Sequence, residues 1–337
     1  MREAQRIVAI VSTGATALWF ATGMSAAQTA EELPLQLEAK IQLGEVSGRI
    51  DHMAIDSKRH RLFVAELGNG TVGVVDLSAR KVAHVIAGLK EPQGVGYVPS
   101  SDALYVANAR DGSVRLFQGE NYAAAGRIDL GEDADNVRVD NAANRVFIGY
   151  GEGALAVIDP ASRSKIAEVR LKSHPEGFQL STASPRIFVN LPNAHTIEVV
   201  DRDARQVSTS WPLKRASANF PMALDETSGH VIVVFRSPAR LGVFDMQTGA
   251  SAAERDTCGD SDDVFFDAKR KRVYVSCGEG FIDAFDATAG TYRRLARIPT
   301  IAGARTSLLL PEEDRYVVAA RAHGNEPATL WLYRPIP

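Results

Sequence analysis

The chain has 337 residues, 45% hydrophobic and 23% charged, with 38 Lys and Arg against 41 Asp and Glu for a formal charge of −3. That hydrophobic content excludes a disordered body, the near-balance of charge leaves no basic footprint for a nucleic-acid backbone, and two cysteines exclude a zinc array or a dense disulfide framework. The length suits two ordinary domains or one large repeat architecture.

The chain opens with a leader pattern. Arg2 and Arg6 make a short positive segment, Ile7 to Met24 carries no charge, and Ser25-Ala26-Ala27 supplies the small residues of a cleavage site. This predicts a secretory signal peptide over 1–27 and a mature domain over 28–337. An uncleaved anchor is the weaker reading, because the uncharged stretch is at the short end of a membrane span and is diluted by Ser12, Thr13, Gly14, Thr16, Thr22 and Gly23. No cysteine follows the stretch and no twin arginine precedes it, which counts against a lipid anchor and against a cofactor loaded before export. The mature chain would carry 36 basic and 40 acidic residues, net −4. No later segment is apolar for long enough to span a bilayer, so the expected product is periplasmic or secreted, with no membrane span after cleavage.

Leu35 to Leu43 alternates like a strand. After it the chain repeats. Apolar runs recur at Leu62-Phe63-Val64, Leu104-Tyr105-Val106, Val146-Phe147-Ile148, Ile187-Phe188-Val189, Val231-Ile232-Val233, Val273-Tyr274-Val275 and Tyr316-Val317-Val318, with their centres 42, 42, 41, 44, 42 and 43 residues apart. An apolar-Asp pair follows most runs: Val75-Asp76, Ile158-Asp159, Val200-Asp201, Phe244-Asp245 and Phe285-Asp286, with Phe117-Gln118 in the second repeat. An Asp that opens a turn accepts N–H groups just ahead of it, so these read as turn initiators, not catalysts. Earlier in the units lie segments such as Met53-Ala54-Ile55-Asp56 and Val137-Arg138-Val139-Asp140. Each unit thus reads as four short strands of period two, with no long helical pattern.

Seven such units predict an all-β, seven-bladed β-propeller with four-stranded blades. The last unit ends at Pro337 without room for a fourth strand, so the N-terminal strand is expected to complete the final blade and close the ring. The runs Leu104-Tyr105-Val106-Ala107-Asn108 and Val273-Tyr274-Val275-Ser276 resemble the strand motif of YVTN-type propellers, and residues 35–337 as a whole resemble a YncE-like periplasmic propeller. The resemblance implies fold and export, and it assigns no chemistry.

Aligning the repeats places the segments before the innermost strands at one mouth of the central channel. The candidates there are His52, Gln93, Asp135, Asn136, His174, Glu176, Arg236, Asp263 and Arg305. The segments differ between blades while the strands stay regular, which suggests a specialised surface. Arg236 and Arg305 would either be the forked anchors for an anionic ligand or tie adjacent blades together by pairing with a carboxylate. His52, Asn136, Glu176 and Asp263 include ligand types for a possible divalent metal, and the last three match the Asn, Glu and Asp that six-bladed lactonases draw from separate blades. No His-x-x-x-His spacing or Gly-x-Ser-x-Gly motif occurs. The reading is a binding or scaffold protein for a small polar or anionic ligand or another envelope protein, with no nucleic acid. The alternative is a metal-assisted lactonase or lyase with a metal-bound water. Cys258 and Cys277, an even pair in an exported chain, are expected to form a disulfide.

Overall fold

Each of the seven apolar runs is the second strand of a four-stranded antiparallel sheet. The coordinates are a computed structural model that describes Met1 and residues 33–337, so the expected leader lies outside the described residues. The innermost strands are Met53–Asp56, Pro92–Val98, Ala134–Asp140, Phe178–Leu180, Ser217–Asp225, Ser261–Asp267 and Thr306–Leu310; they head blades 1 to 7 in chain order. Among the described residues only four three-residue 3-10 turns interrupt the strands, and no helix is long and apolar enough to cross a membrane. The architecture is a seven-bladed β-propeller.

The second and third strands of each blade do not alternate as expected. Leu62, Phe63, Val64 and Ala65 are all fully buried. Both faces of a blade pack against a neighbouring blade, so these strands are apolar on both sides. The outermost strands are mostly exposed, held by an anchor such as Ile86, Ile128, Val169, Trp211 or Ile298 near one end. The core is a series of interblade clusters: Tyr105, Leu116, Val137 and Ile148 seal blade 2 against blade 3, and Leu35, Tyr274, Tyr316 and Tyr333 seal blade 6 against blade 7. Trp211 stacks near Phe188, and Tyr292 is fully buried, as packing residues should be.

Blade 7 closes the ring. Strand Leu35–Gln42 pairs antiparallel with Thr329–Pro335, so both chain ends share one sheet. The repeat aspartates cap turns: the carboxylates of Asp76, Asp159, Asp201, Asp245 and Asp286 accept backbone N–H groups two or three residues ahead. Cys258 and Cys277 are bonded, with their Cα atoms 5.8 Å apart.

Candidate functional site

The innermost strands begin irregularly. Register shifts fall between Pro92 and Val95, Ala134 and Val137, Asn219 and Met222, and Ser261 and Asp263. A bulge adds a residue to one strand and re-aims its side chains. In four blades, therefore, the mouth residues stand on strand backbone and not on the free loops that the repeat alignment suggested. In blade 3 the bulge carries Asp135 and Asn136, and in blade 6 it carries Asp262.

His52, Asp135, Asn136, Glu176 and Asp263 line one small cavity of about 40 Å³. That volume holds a few waters or one polar head group. His52 stands between carboxylates of three blades: Nε2 lies 3.7 Å from Asp51 and 4.0 Å from Asp135, and Nδ1 lies 3.9 Å from Asp263. His174 stands behind Asp135, with Nδ1 2.6 Å from the Gly151 carbonyl and Nε2 4.0 Å from Asp135. Gln93 is partly exposed at the blade 2 bulge and does not line the cavity.

Arg236 and Arg305, the expected anion anchors, both already have carboxylate partners. Arg236 donates to Asp262 and to the Ser261 carbonyl, and its guanidinium lies 3.9 Å over the Phe220 ring. Arg305 donates to Asp260 and pairs with Asp262 at 3.1 Å. The two arginines tie blades 5, 6 and 7 together. The second loops are also engaged: Asn108 is held by Lys90, Val106 and Ser113, and Glu66 accepts from Thr71.

The cluster shares protons. Burial raises Asp51 to about 6 against the pull of His52 and Arg49. Burial, then the charge of Asp135, raises Glu176 to about 7. Burial outweighs His52 and raises Asp263 to about 7. Burial opposes the charged form of His174, but the Asp135 carboxylate and the Gly151 carbonyl outweigh it and carry the ring to about 9. The same balance raises His52 against burial, through Asp51, Asp263 and Asp135. Asp135 is pushed up by burial and held below its ordinary value by His174 and His52. Asp135 Oδ1 and Asn136 Oδ1 are buried acceptors that no protein donor satisfies.

The sequence reading did not single out Arg49, which pairs with Asp51 at 2.7 Å, or Arg138 and Gln179, which also line the cavity. Arg138 had a legible signal. It is a charge inside an otherwise apolar inner-strand segment, Val137-Arg138-Val139. Among the described residues no group of three or more His, Cys, Asp and Glu side chains is arranged to hold a metal ion.

No family model matches the chain. No curated protein matches it in sequence. Among solved structures the chain is similar to Kuenenia stuttgartiensis Hydrazine Synthase, with a TM-score of 0.71 over 86% of this chain and 98% of that one, at 15% identity. At that identity the likeness is one of fold, and it places the chain among seven-bladed β-propellers.

Proposed function

We propose that this protein is an exported propeller of the YncE-like, YVTN type that works as a binding protein, with the channel mouth as its site. The observation that carries the site is the pair of unsatisfied buried acceptors, Asp135 Oδ1 and Asn136 Oδ1, in the wall of a cavity the size of one polar head group. An unmet buried acceptor costs about 1–3 kcal/mol, which a ligand donor recovers. With Arg236 and Arg305 engaged by carboxylates, the mouth presents the two open acceptors of its cavity wall. It therefore favours a small polar ligand bearing N–H or O–H donors, free or presented by another envelope protein. The disulfide fits an oxidising compartment, and the leader pattern supplies the route there. The metal-assisted lactonase or lyase reading needs an ion held by His52, Asn136, Glu176 and Asp263, and elemental analysis separates it from the binding reading.

The test is thermal unfolding of the mature protein against a panel of small amines, polyols and amino acids, beside elemental analysis of protein purified without chelator. The expected result is a compound that raises Tm by several degrees in the wild type and not in Asn136→Leu, with no stoichiometric metal. About one metal per chain, lost in a His52→Ala, Glu176→Ala double variant, would instead establish the metal reading.

A further inference from the structure

Below the mouth the central channel widens into a cavity of about 570 Å³ whose lining reaches the residues of the opposite face. Volumes of this order suit small organic ligands. Its exposed walls are about equally polar and apolar, with Ile55, Tyr97, Val139, Leu180, Leu224 and Phe266 among the apolar residues. Strand register defines one ring of the wall. The residues opposite the centres of the seven apolar runs are Ala54, Gly96, Arg138, Gln179, Ala223, Phe265 and Leu308. Six of the seven are uncharged, and Arg138 is the one charge in the ring.

Arg138 differs from the other arginines of the site. Arg49, Arg236 and Arg305 are each within an ion pair. Among the described residues Arg138 forms no ion pair, and its one side-chain hydrogen bond runs from Nη1 to the Val137 carbonyl. Its nearest acidic influences are Asp263 and Asp135. Asp263 already accepts the Ser307 N–H at 2.7 Å, and burial keeps it largely protonated below about pH 7. At the far rim Glu226 is held by Ser181 and Thr182. Burial disfavours the charge of Arg138 more than its surroundings repay, and an enclosed guanidinium without a counter-ion is a demand for one.

We propose that this shaft binds a small organic carboxylate with an apolar body, whose carboxylate pairs with the Arg138 guanidinium while its tail lies along the apolar walls. The guanidinium presents a planar fork that matches a carboxylate in bidentate geometry, and the walls below it contribute in proportion to the apolar surface they cover. The site rests on Arg138, which lines both the mouth cavity and the shaft, and on the walls below it.

The probe is octanoate, titrated calorimetrically into the mature protein at pH 7, with octanol and octylammonium as comparisons. The wild type is expected to bind octanoate at one per chain and octylammonium at least tenfold more weakly. Arg138→Met keeps the side-chain volume and removes the fork. It is expected to weaken octanoate at least tenfold, to leave octanol affinity within threefold, and to unfold at or above the wild-type Tm without ligand. The mouth reading is tested by donor-bearing compounds and Asn136→Leu, and this one by octanoate and Arg138→Met, so failure of the one and failure of the other are separable. Equal octanoate affinity in Arg138→Met and wild type, octylammonium binding as well as octanoate, or no octanoate binding at millimolar concentration would each overturn the proposal.

Discussion

Glu176 shows what a crowded carboxylate cluster does to a single residue. Burial and the charge of Asp135 hold it at about 7, against an ordinary 4.5. The fold therefore favours its protonated form. That contribution is complete below about pH 4.5 and is lost as pH rises through 7. Asp263 and Asp51 lose theirs in the same direction, through about 7 and about 6. His174, raised from 6.5 to about 9, contributes stability that is complete below 6.5 and lost as pH rises through 9. The four residues act together, so Tm should fall steadily between pH 5 and 9. Glu176→Gln keeps the shape and cannot ionise. Urea unfolding should show it more stable than wild type by about 2 kcal/mol at pH 8 and nearly unchanged at pH 4.5. No gain at pH 8 would mean that the Glu176 charge is already compensated.

At the scale of elements, the turn after an innermost strand can reach the next blade. Arg59 follows the turn aspartate Asp56, donates to it at 2.8 Å, and forks onto Asp102 of blade 2 at 2.7 and 2.9 Å. Arg270 does the same from Asp267, forking onto Asp314 of blade 7 at 2.8 and 2.9 Å, and holds Asp314 down at about 2. The equivalent turns after Asp140 and Asp225 place Ala143 and Ser228 there instead; those aspartates cap their own turns and are reached from the next blade by Arg202 at 3.1 Å and by the Tyr292 hydroxyl at 3.4 Å. The Arg270 side chain is 9% exposed and that of Arg59 is 33%. Removing the more buried fork leaves Asp267 without its side-chain partner and Asp314 with Lys269 alone. Arg270→Ala should therefore cost about 2–3 kcal/mol and Arg59→Ala about 1 kcal/mol, read from denaturant midpoints at constant slope. Equal costs would show that burial does not set the strength of the clamp. This spacing, Asp-x-x-Arg, is present in the sequence, yet its partner lies some forty residues away across a blade interface, which local pattern reading does not see. The turn aspartates were legible because their acceptors and donors are neighbours in the chain. The convergence of His52, Asp135, Asn136, Glu176 and Asp263 was legible because a regular repeat turns sequence phase into position around an axis. That Arg236 and Arg305 tie adjacent blades through carboxylates was legible as one of two readings, but the partners were not, since they depend on how the blade 6 strand start places Asp260 and Asp262. Arg138 escaped for another reason: a lone charge in a strand ordinarily reads as the solvent side, and here that side is the enclosed channel.

For the whole molecule, the ring is closed by non-covalent pairing between its two ends. Strand Leu35–Gln42 buries Leu35 and Ile41 almost completely. Glu38 on it pairs with Arg315 at 2.6 Å and Arg334 at 3.0 Å, and the Lys40 ammonium lies 3.8 Å over the Trp331 ring. Without it, Thr329–Pro335 becomes an open edge, and the faces that seal blade 7 against blades 6 and 1 lose Leu35 and Ile41. Burial of those two side chains alone is worth about 3–6 kcal/mol, a large share of the stability of an ordinary domain. The bonded cysteines staple blade 6 internally, across 19 residues of sequence, and do not bridge the seam. A chain that starts at Leu43 should therefore unfold with a lower midpoint and a broader transition than one that starts at Leu33, with blade 7 the first region to lose hydrogen-exchange protection. A synthetic peptide spanning Pro34 to Leu43, added in excess, should restore the midpoint, because it supplies the same seven-pair register in trans. A chain starting at Leu43 that unfolds as the one starting at Leu33 does would show that the blade interfaces hold the ring without the seam.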